Sequence, residues 1–298
     1  VGRSSANPYD VNGRTVLITG AARGIGQATA QRLHAKGANV ALVGLEPERL
    51  EQNAAELGDR AASFAADVTD FDALQRAVKA TVERFGAIDV AIANAGIAYT
   101  GTLATAPIDQ VERTLAVNLL GVWRTDRAVI EQITAQRGYL LNISSLSAVA
   151  HAPMMGPYTT AKSGVDALSD ALRQESAPFG AAVGCAYFGF LETDLVRAGF
   201  AEPSAQAVND RLPRFARPAP LSIAIDAIER GIERRSPRIF APRWVEPMYY
   251  LRGVLQPLSE LRAAKEQTRL LEAMRLAEES NRSGGDSSPL GVAAKAID

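Results

Sequence analysis

A phenol and an ammonium four residues apart open the chemical reading of this chain. Tyr158 and Lys162, in the segment YTTAK, share one face if that segment is helical. Ala161, Val165, Leu168 and Leu172 continue the apolar pattern at steps of four and three, which predicts the helix. A tyrosine ordinarily ionises near pH ~10, too high for efficient proton exchange at neutrality. A fixed ammonium beside it favours the phenolate and is expected to lower that value. Reaching about 7 takes ~4 kcal/mol of differential stabilisation, within range of a close charge in a water-poor site. Such a pair can trade a proton with an alcohol or a carbonyl oxygen.

A second group of residues suits a phosphate. The segment TGAARGIG, residues 19–26, follows a short apolar run and opens a helical pattern. Gly20 permits a tight turn, Gly24 lets backbone N–H groups approach a pyrophosphate, and Gly26, after Ile25, allows close helix packing. The helix N-terminus then faces the phosphate charge. Glycines alone say little, because turns collect them; their place between strand and helix is what counts.

These groups need a scaffold. Strand candidates are residues 15–19, 39–44, 61–66, 89–93, 139–143, 183–188 and 238–241, most of them bounded by Gly, Asn or Asp. Between them run helical patterns such as Phe71, Leu74, Val78, Val82 and Phe85, with Asp70 placed to cap, and another starting near Pro107. Strands alternating with helices imply an α/β fold, a doubly wound parallel sheet covered on both faces. The organisation expected is a lead-in over 1–13 and a dinucleotide-binding catalytic domain over 14–242. A helical C-terminal extension over 243–280 and a disordered tail over 281–298 follow.

Composition sets outer limits. In 298 residues, apolar types make up 47% and charged types 22%, and the net charge is −1. That balance offers nothing to nucleic acid. No apolar run approaches a membrane span, and no charged segment followed by an apolar one opens the chain, so the cytoplasm is the expected compartment. The single cysteine, Cys185, lies in an apolar run and reads as core. His34 and His151 have no metal-ligand spacing, so no metal is expected.

The glycine spacing, GxxxGxG, resembles that of the short-chain dehydrogenase/reductase family in its ordinary, non-extended branch, over roughly residues 14–241. Further motifs match in chain order. Asp67 and Val68 resemble the family's adenine-binding pair, although Asp67 also suits a helix cap. Asn94, Ala95 and Gly96 match its NAG turn, and Thr193, in FGFLETDL, stands where the family bonds the nicotinamide amide. Asn118, in VNLLG, matches the asparagine that kinks its helix and holds a water in a relay to the lysine. Ser145 precedes Tyr158 by thirteen residues, the family interval, and so is favoured over Ser144 as the hydroxyl that holds the substrate oxygen. The resemblance implies a catalytic set of Asn118, Ser145, Tyr158 and Lys162, the lysine also holding the nicotinamide ribose. One departure is Phe188-Gly189 where the family usually has Pro-Gly.

The resemblance implies NADP or NAD as cofactor. NADP is favoured, because Leu45 stands where NAD-preferring relatives carry an acid and Arg23 resembles a 2′-phosphate partner. Glu46 nearby counts against it. A small-molecule carbonyl or alcohol is the expected substrate; Met154, Met155, Phe190, Leu195 and Phe200 suggest an apolar pocket, with a family lid over residues 196–220. An acyl-carrier-protein ketoreductase is the alternative, disfavoured by the scarcity of basic docking residues around Arg137. A non-catalytic dinucleotide sensor is the alternative from another class, disfavoured because Ser145, Tyr158 and Lys162 are all kept. The resemblance implies a homodimer or homotetramer. Residues 244–258 are expected to dock on their own domain or a partner subunit, with membrane contact as the competing reading.

Overall fold

Short β-branched and apolar runs pair as strands here, and the amphipathic segments between them cover the resulting sheet. The computed structural model of the protein describes residues 8–201, 217–265 and 267–283. Among these, the strands are β1 (Thr15–Thr19), β2 (Asn39–Gly44), β3 (Ala61–Ala65), β4 (Val90–Ala93), β5 (Tyr139–Ile143), β6 (Ala182–Phe188) and β7 (Arg238–Ala241). All pair in parallel, in the order β3-β2-β1-β4-β5-β6-β7. Each lies within one residue of its expected bounds.

The helices are α1 (Gly24–Ala35), α2 (Pro47–Leu57), α3 (Phe71–Phe85), α4 (Ile108–Leu115), α5 (Gly121–Ala135), α6 (Gly156–Ser176), α7 (Asp194–Ala201), α8 (Leu221–Glu233), α9 (Val245–Lys265) and α10 (Gln267–Ser283). Asp70 caps α3, its carboxylate accepting from the Ala73 amide at 3.0 Å. Side chains alternate across each strand, so the sheet has two cores. Val16, Ile18, Val40 and Leu42 pack with Leu33 and Ile228 on one face. Leu17, Ala41 and Val43 pack with Leu74, Val129 and Ile133 on the other.

The chain winds outward from β1 through β2 to β3, then returns to place β4 on the other side of β1. That reversal opens a crevice beyond the C-terminal ends of β1 and β4, the place where such sheets bind ligands.

Two boundaries differ from expectation. In the lead-in, the Tyr9 amide donates to the Glu233 carbonyl at 2.7 Å and Val11 is buried, so residues 8–13 dock on the domain. In the extension, α9 runs through Pro257 to Lys265. The helical pattern then persists in α10 to Ser283, past the expected start of the tail. Residues 1–7, the 202–216 portion of the lid and 284–298 lie outside the described residues.

The base of α9 is part of the core. Val245 and Tyr249 are buried with Tyr187, Val165 and Cys185, while Tyr250, Leu251, Val254, Leu258 and Leu261 face outward. The extension thus docks on its own domain. Among the described residues no helix is long and apolar enough to cross a membrane.

Candidate active site

The dinucleotide end is made largely of backbone. Gly20 has φ +65°, and a Cβ on it would sit 2.8 Å from the Ala95 Cα. A Cβ on Gly26 would come within 2.3 Å of the Gly20 carbonyl oxygen, so the loop can pack on α1 only through glycine. Gly24 has φ +58° with open space beside it, and Arg23, at the N-cap of α1, makes no side-chain capping bond. Ile25 packs on the core below. Free first-turn N–H groups under an open glycine fit a pyrophosphate.

The NAG turn locks this loop to the sheet. The Asn94 side-chain amide donates to the carbonyls of Thr19 and Gly20 at 3.0 and 3.2 Å, and the amides of Asn94 and Ala95 donate to the Thr19 hydroxyl. Asp67 forms a local turn, one oxygen accepting from the Thr69 amide at 2.7 Å, while Val68 is buried and presses on Gly121. Leu45 is exposed directly after β2. Thr193 accepts from the Val196 amide at 3.3 Å and so caps α7. Arg23 is not free for a phosphate: its guanidinium donates to both carboxylate oxygens of Glu46.

Across the crevice, α6 carries Tyr158 and Lys162 on one face, with the lysine Nζ 5.7 Å from the phenol ring centre. Ser145 lies at the start of the loop after β5, where its hydroxyl accepts from the Ser147 amide at 3.1 Å and faces the Tyr158 phenol. Ser144 is committed elsewhere, donating to the Lys162 carbonyl at 2.9 Å. The Lys162 ammonium donates to the Ile143 carbonyl at 2.8 Å. Asn118 lies in a π-helical turn (Ala116–Leu120), the kink expected at this position. Its side chain accepts from the Ile97 amide at 3.0 Å and donates to the carbonyls of Ile97 and Thr114. Gly96 joins the two ends: a Cβ there would lie 2.7 Å from Asn118 Oδ1 and 3.7 Å from Lys162 Nζ.

The expected electrostatics need correcting. Burial holds the Tyr158 phenol above its ordinary value, and donation from Ser145 only partly offsets this. Lys162 does not reverse it, because its ammonium is turned to the Ile143 carbonyl; burial brings the amine itself down to about 8. An ammonium bonded to a carbonyl and 5.7 Å from the ring centre is a weak partner for a phenolate.

Several relevant residues escaped the motif reading. Asp126, Asn142 and Ser169 form a buried polar cluster between α5, β5 and α6; Asn142 donates to Asp126 at 2.9 Å and to Ser169 at 3.1 Å. Burial raises Asp126 to about 8, and its second oxygen has no hydrogen-bond partner. Asp166, one turn beyond Lys162, accepts from Tyr187, Tyr249 and Arg252. None of these carries a local signal in sequence. Cys185 is buried, with its thiol pushed up to about 11, as suits a core residue. Among the described residues no group of three His, Cys, Asp or Glu side chains could hold a metal ion.

A parallel nucleotide-binding sheet with a glycine cradle at its switch point, facing a Ser–Tyr–Lys set, defines a dinucleotide-dependent oxidoreductase class. Comparison with known proteins agrees. The chain matches the family model of the short chain dehydrogenases over residues 14–203. It is 35% identical over 186 residues to a nodulation protein G of a Rhizobium species, covering 62% of this chain and 76% of that protein. It is 33% identical over 210 residues to the 2-(R)-hydroxypropyl-CoM dehydrogenase of Xanthobacter autotrophicus, covering 67% of this chain and 84% of that one. The crystal structure of 3-ketoacyl-(acyl-carrier-protein) reductase from Brucella melitensis, complexed with NADH, superposes with a TM-score of 0.70 at 25% identity, covering 78% of this chain and 97% of that chain. The chain belongs to the short-chain dehydrogenase/reductase family, and it is an NAD(P)-dependent oxidoreductase of that type.

Proposed function

We propose that the chain interconverts an apolar ketone and its secondary alcohol, with Tyr158 as the group that gives or takes the proton. The observation that carries this reading is the convergence of Ser145, Tyr158 and Lys162 at the mouth of the crevice. A nicotinamide dinucleotide held at Gly20, Gly24 and Gly26 would supply or accept the hydride and, when oxidised, a positive charge that favours the phenolate. Ser145 orients the substrate oxygen by hydrogen bonding, and Tyr158 protonates it in reduction or deprotonates it in oxidation. Lys162 biases the phenol toward ionisation once its own charge is stabilised, and the packed loops exclude water. Replacing Tyr158 by Phe should lower kcat by about 10²–10⁴-fold with dinucleotide affinity kept. Near-wild-type turnover would sink the assignment.

An apolar pocket is supported by Phe190 and Phe200, edge to face at 5.0 Å, and by Met155, whose sulfur accepts from the Thr100 hydroxyl. The Xanthobacter relative, named for a secondary alcohol substrate, supports the reaction type. Leu45, with no carboxylate to repel a 2′-phosphate, supports NADP. The Arg23–Glu46 ion pair favours NAD as a second reading, because a 2′-phosphate would have to displace the carboxylate. Comparing NADH with NADPH in steady-state turnover decides between them. Exposed Leu120 and Trp123 at the start of α5 support assembly into a homodimer or tetramer; a monomer in light scattering at micromolar concentration would count against it.

A further inference from the structure

Two loops frame the Ser145–Tyr158 site. One, residues 97–106, follows β4; the other, residues 144–155, follows β5 and leads into α6. They are tied to each other, the Gly101 amide donating to the Met154 carbonyl at 2.9 Å. Met154 pays for this with φ +64°, a left-handed conformation that a β-substituted residue adopts only when neighbours hold it.

Each loop is also held by a different C-terminal helix. From α9, Gln256 Oε1 accepts from the His151 amide at 3.0 Å, and its Nε2 lies 3.5 Å from the His151 carbonyl. From α10, Glu278 accepts from the Thr105 hydroxyl at 3.3 Å, and Thr105 in turn shares a hydrogen with Thr102 at 2.5 Å. Ala273 and Ala277, four apart on α10, are both buried, so small side chains let that helix lie close. The pair has a fixed base. Tyr249 and Arg252 of α9 bond to Asp166, which stands one turn from Lys162 on α6. The extension is therefore anchored to the helix that carries the phenol and reaches back to both loops around it.

We infer that α9 and α10 set the width of the substrate mouth, with Gln256 as a positioning and specificity-determining residue that acts through the 144–155 loop. The inference rests on the oxidoreductase reading for its substrate arm. Held by two clamps, the mouth admits compact apolar ketones and alcohols and disfavours bulky ones. Neither clamp touches the reacting atoms, so loosening one changes which substrate is accepted more than it changes the chemistry.

The test uses the full chain carrying Gln256→Ala or, independently, Thr105→Val, with thermal unfolding to verify that each variant folds. Hydrogen exchange reads the clamp without turnover: Gln256→Ala should speed exchange across residues 146–155, since the His151 amide loses its acceptor. Steady-state rates on a series of ketones graded in size read the aperture. Relative to wild type, each variant should raise the ratio of kcat/KM for bulky over compact ketones about tenfold, through KM rather than kcat. Unchanged exchange in 146–155 overturns the clamp. Faster exchange with an unchanged size ratio overturns the specificity role. A wild-type chain inactive on every ketone and alcohol sinks the proposed function instead, and the exchange arm still decides the clamp. Should Gln256→Ala fail to fold, Gln256→Leu, close in volume but without an acceptor for the His151 amide, carries both measurements.

Discussion

The dinucleotide end and the substrate end of this crevice are built by different means. At the first, Gly20, Gly24, Gly26 and the NAG turn bring backbone to backbone, and a few short side chains, Thr19, Asn53 and Asn94, tie the loop in place. At the second, Gln256 and Glu278 of the C-terminal helices, anchored to α6 through Asp166, hold loops that have little regular structure of their own. A site made of backbone geometry tolerates almost no change, because a single methyl meets a carbonyl. One made of side-chain clamps can be retuned piece by piece, which suits a surface that must distinguish substrates.

The sharpest way to break this contrast is Gly26→Ala. Its Cβ would meet the Gly20 carbonyl oxygen at 2.3 Å, so dinucleotide affinity should fall by more than about 100-fold, a loss of ~3 kcal/mol or more. Titration calorimetry checks this, and binding within tenfold of wild type would show that the loop is not held as described. Asp166→Ala comes next. It strands Arg252 and two tyrosine hydroxyls, and should cost about 2–4 kcal/mol in urea unfolding while leaving dinucleotide affinity nearly unchanged. Equal loss at both ends would erase the distinction between them.

Asp126 gives a pH test that belongs to neither end. Its folded value of about 8 lies above the ordinary 3.8, so between those limits the native state holds a proton that the unfolded chain has released. Stability from this group therefore falls as pH rises from about 4 to 8, by up to ~1.4 kcal/mol per pH unit. Asp126→Asn removes that slope and gives Asn142 an amide donor. The variant should unfold at higher urea than wild type, with the margin growing toward pH 8; a margin independent of pH would refute the buried proton. The smallest effect is expected from Glu46→Gln. Releasing Arg23 should shift the NADPH-to-NADH ratio of kcat/KM upward about tenfold, measured by absorbance at constant ketone.

What could be read in advance followed from local rules. Strand limits came from short apolar runs whose residues must alternate across a sheet, and Asp70 capped α3 as its place before the apolar pattern required. Gly20 and Gly26 were legible because their demands concern only nearby backbone. The Tyr158 proton affinity was not. Spacing placed the lysine on the right face, but desolvation depends on everything packed around both groups, and it outweighed their attraction. Arg23 was likewise readable as a cation near the cofactor, whereas its pairing with Glu46 depended on how β1 and β2 lie side by side.

The amino-acid order thus determined the parallel, doubly wound sheet and the glycine turns at its switch point, since each rests on periodicity or on spacing within one or two elements. Tertiary structure alone decided how strongly the phenol and amine are desolvated, which cations are already spent, and that the last two helices return to hold the substrate loops. Those properties arise from contacts between separate elements, from Arg23 with Glu46 to His151 with Gln256, and no local pattern encodes them.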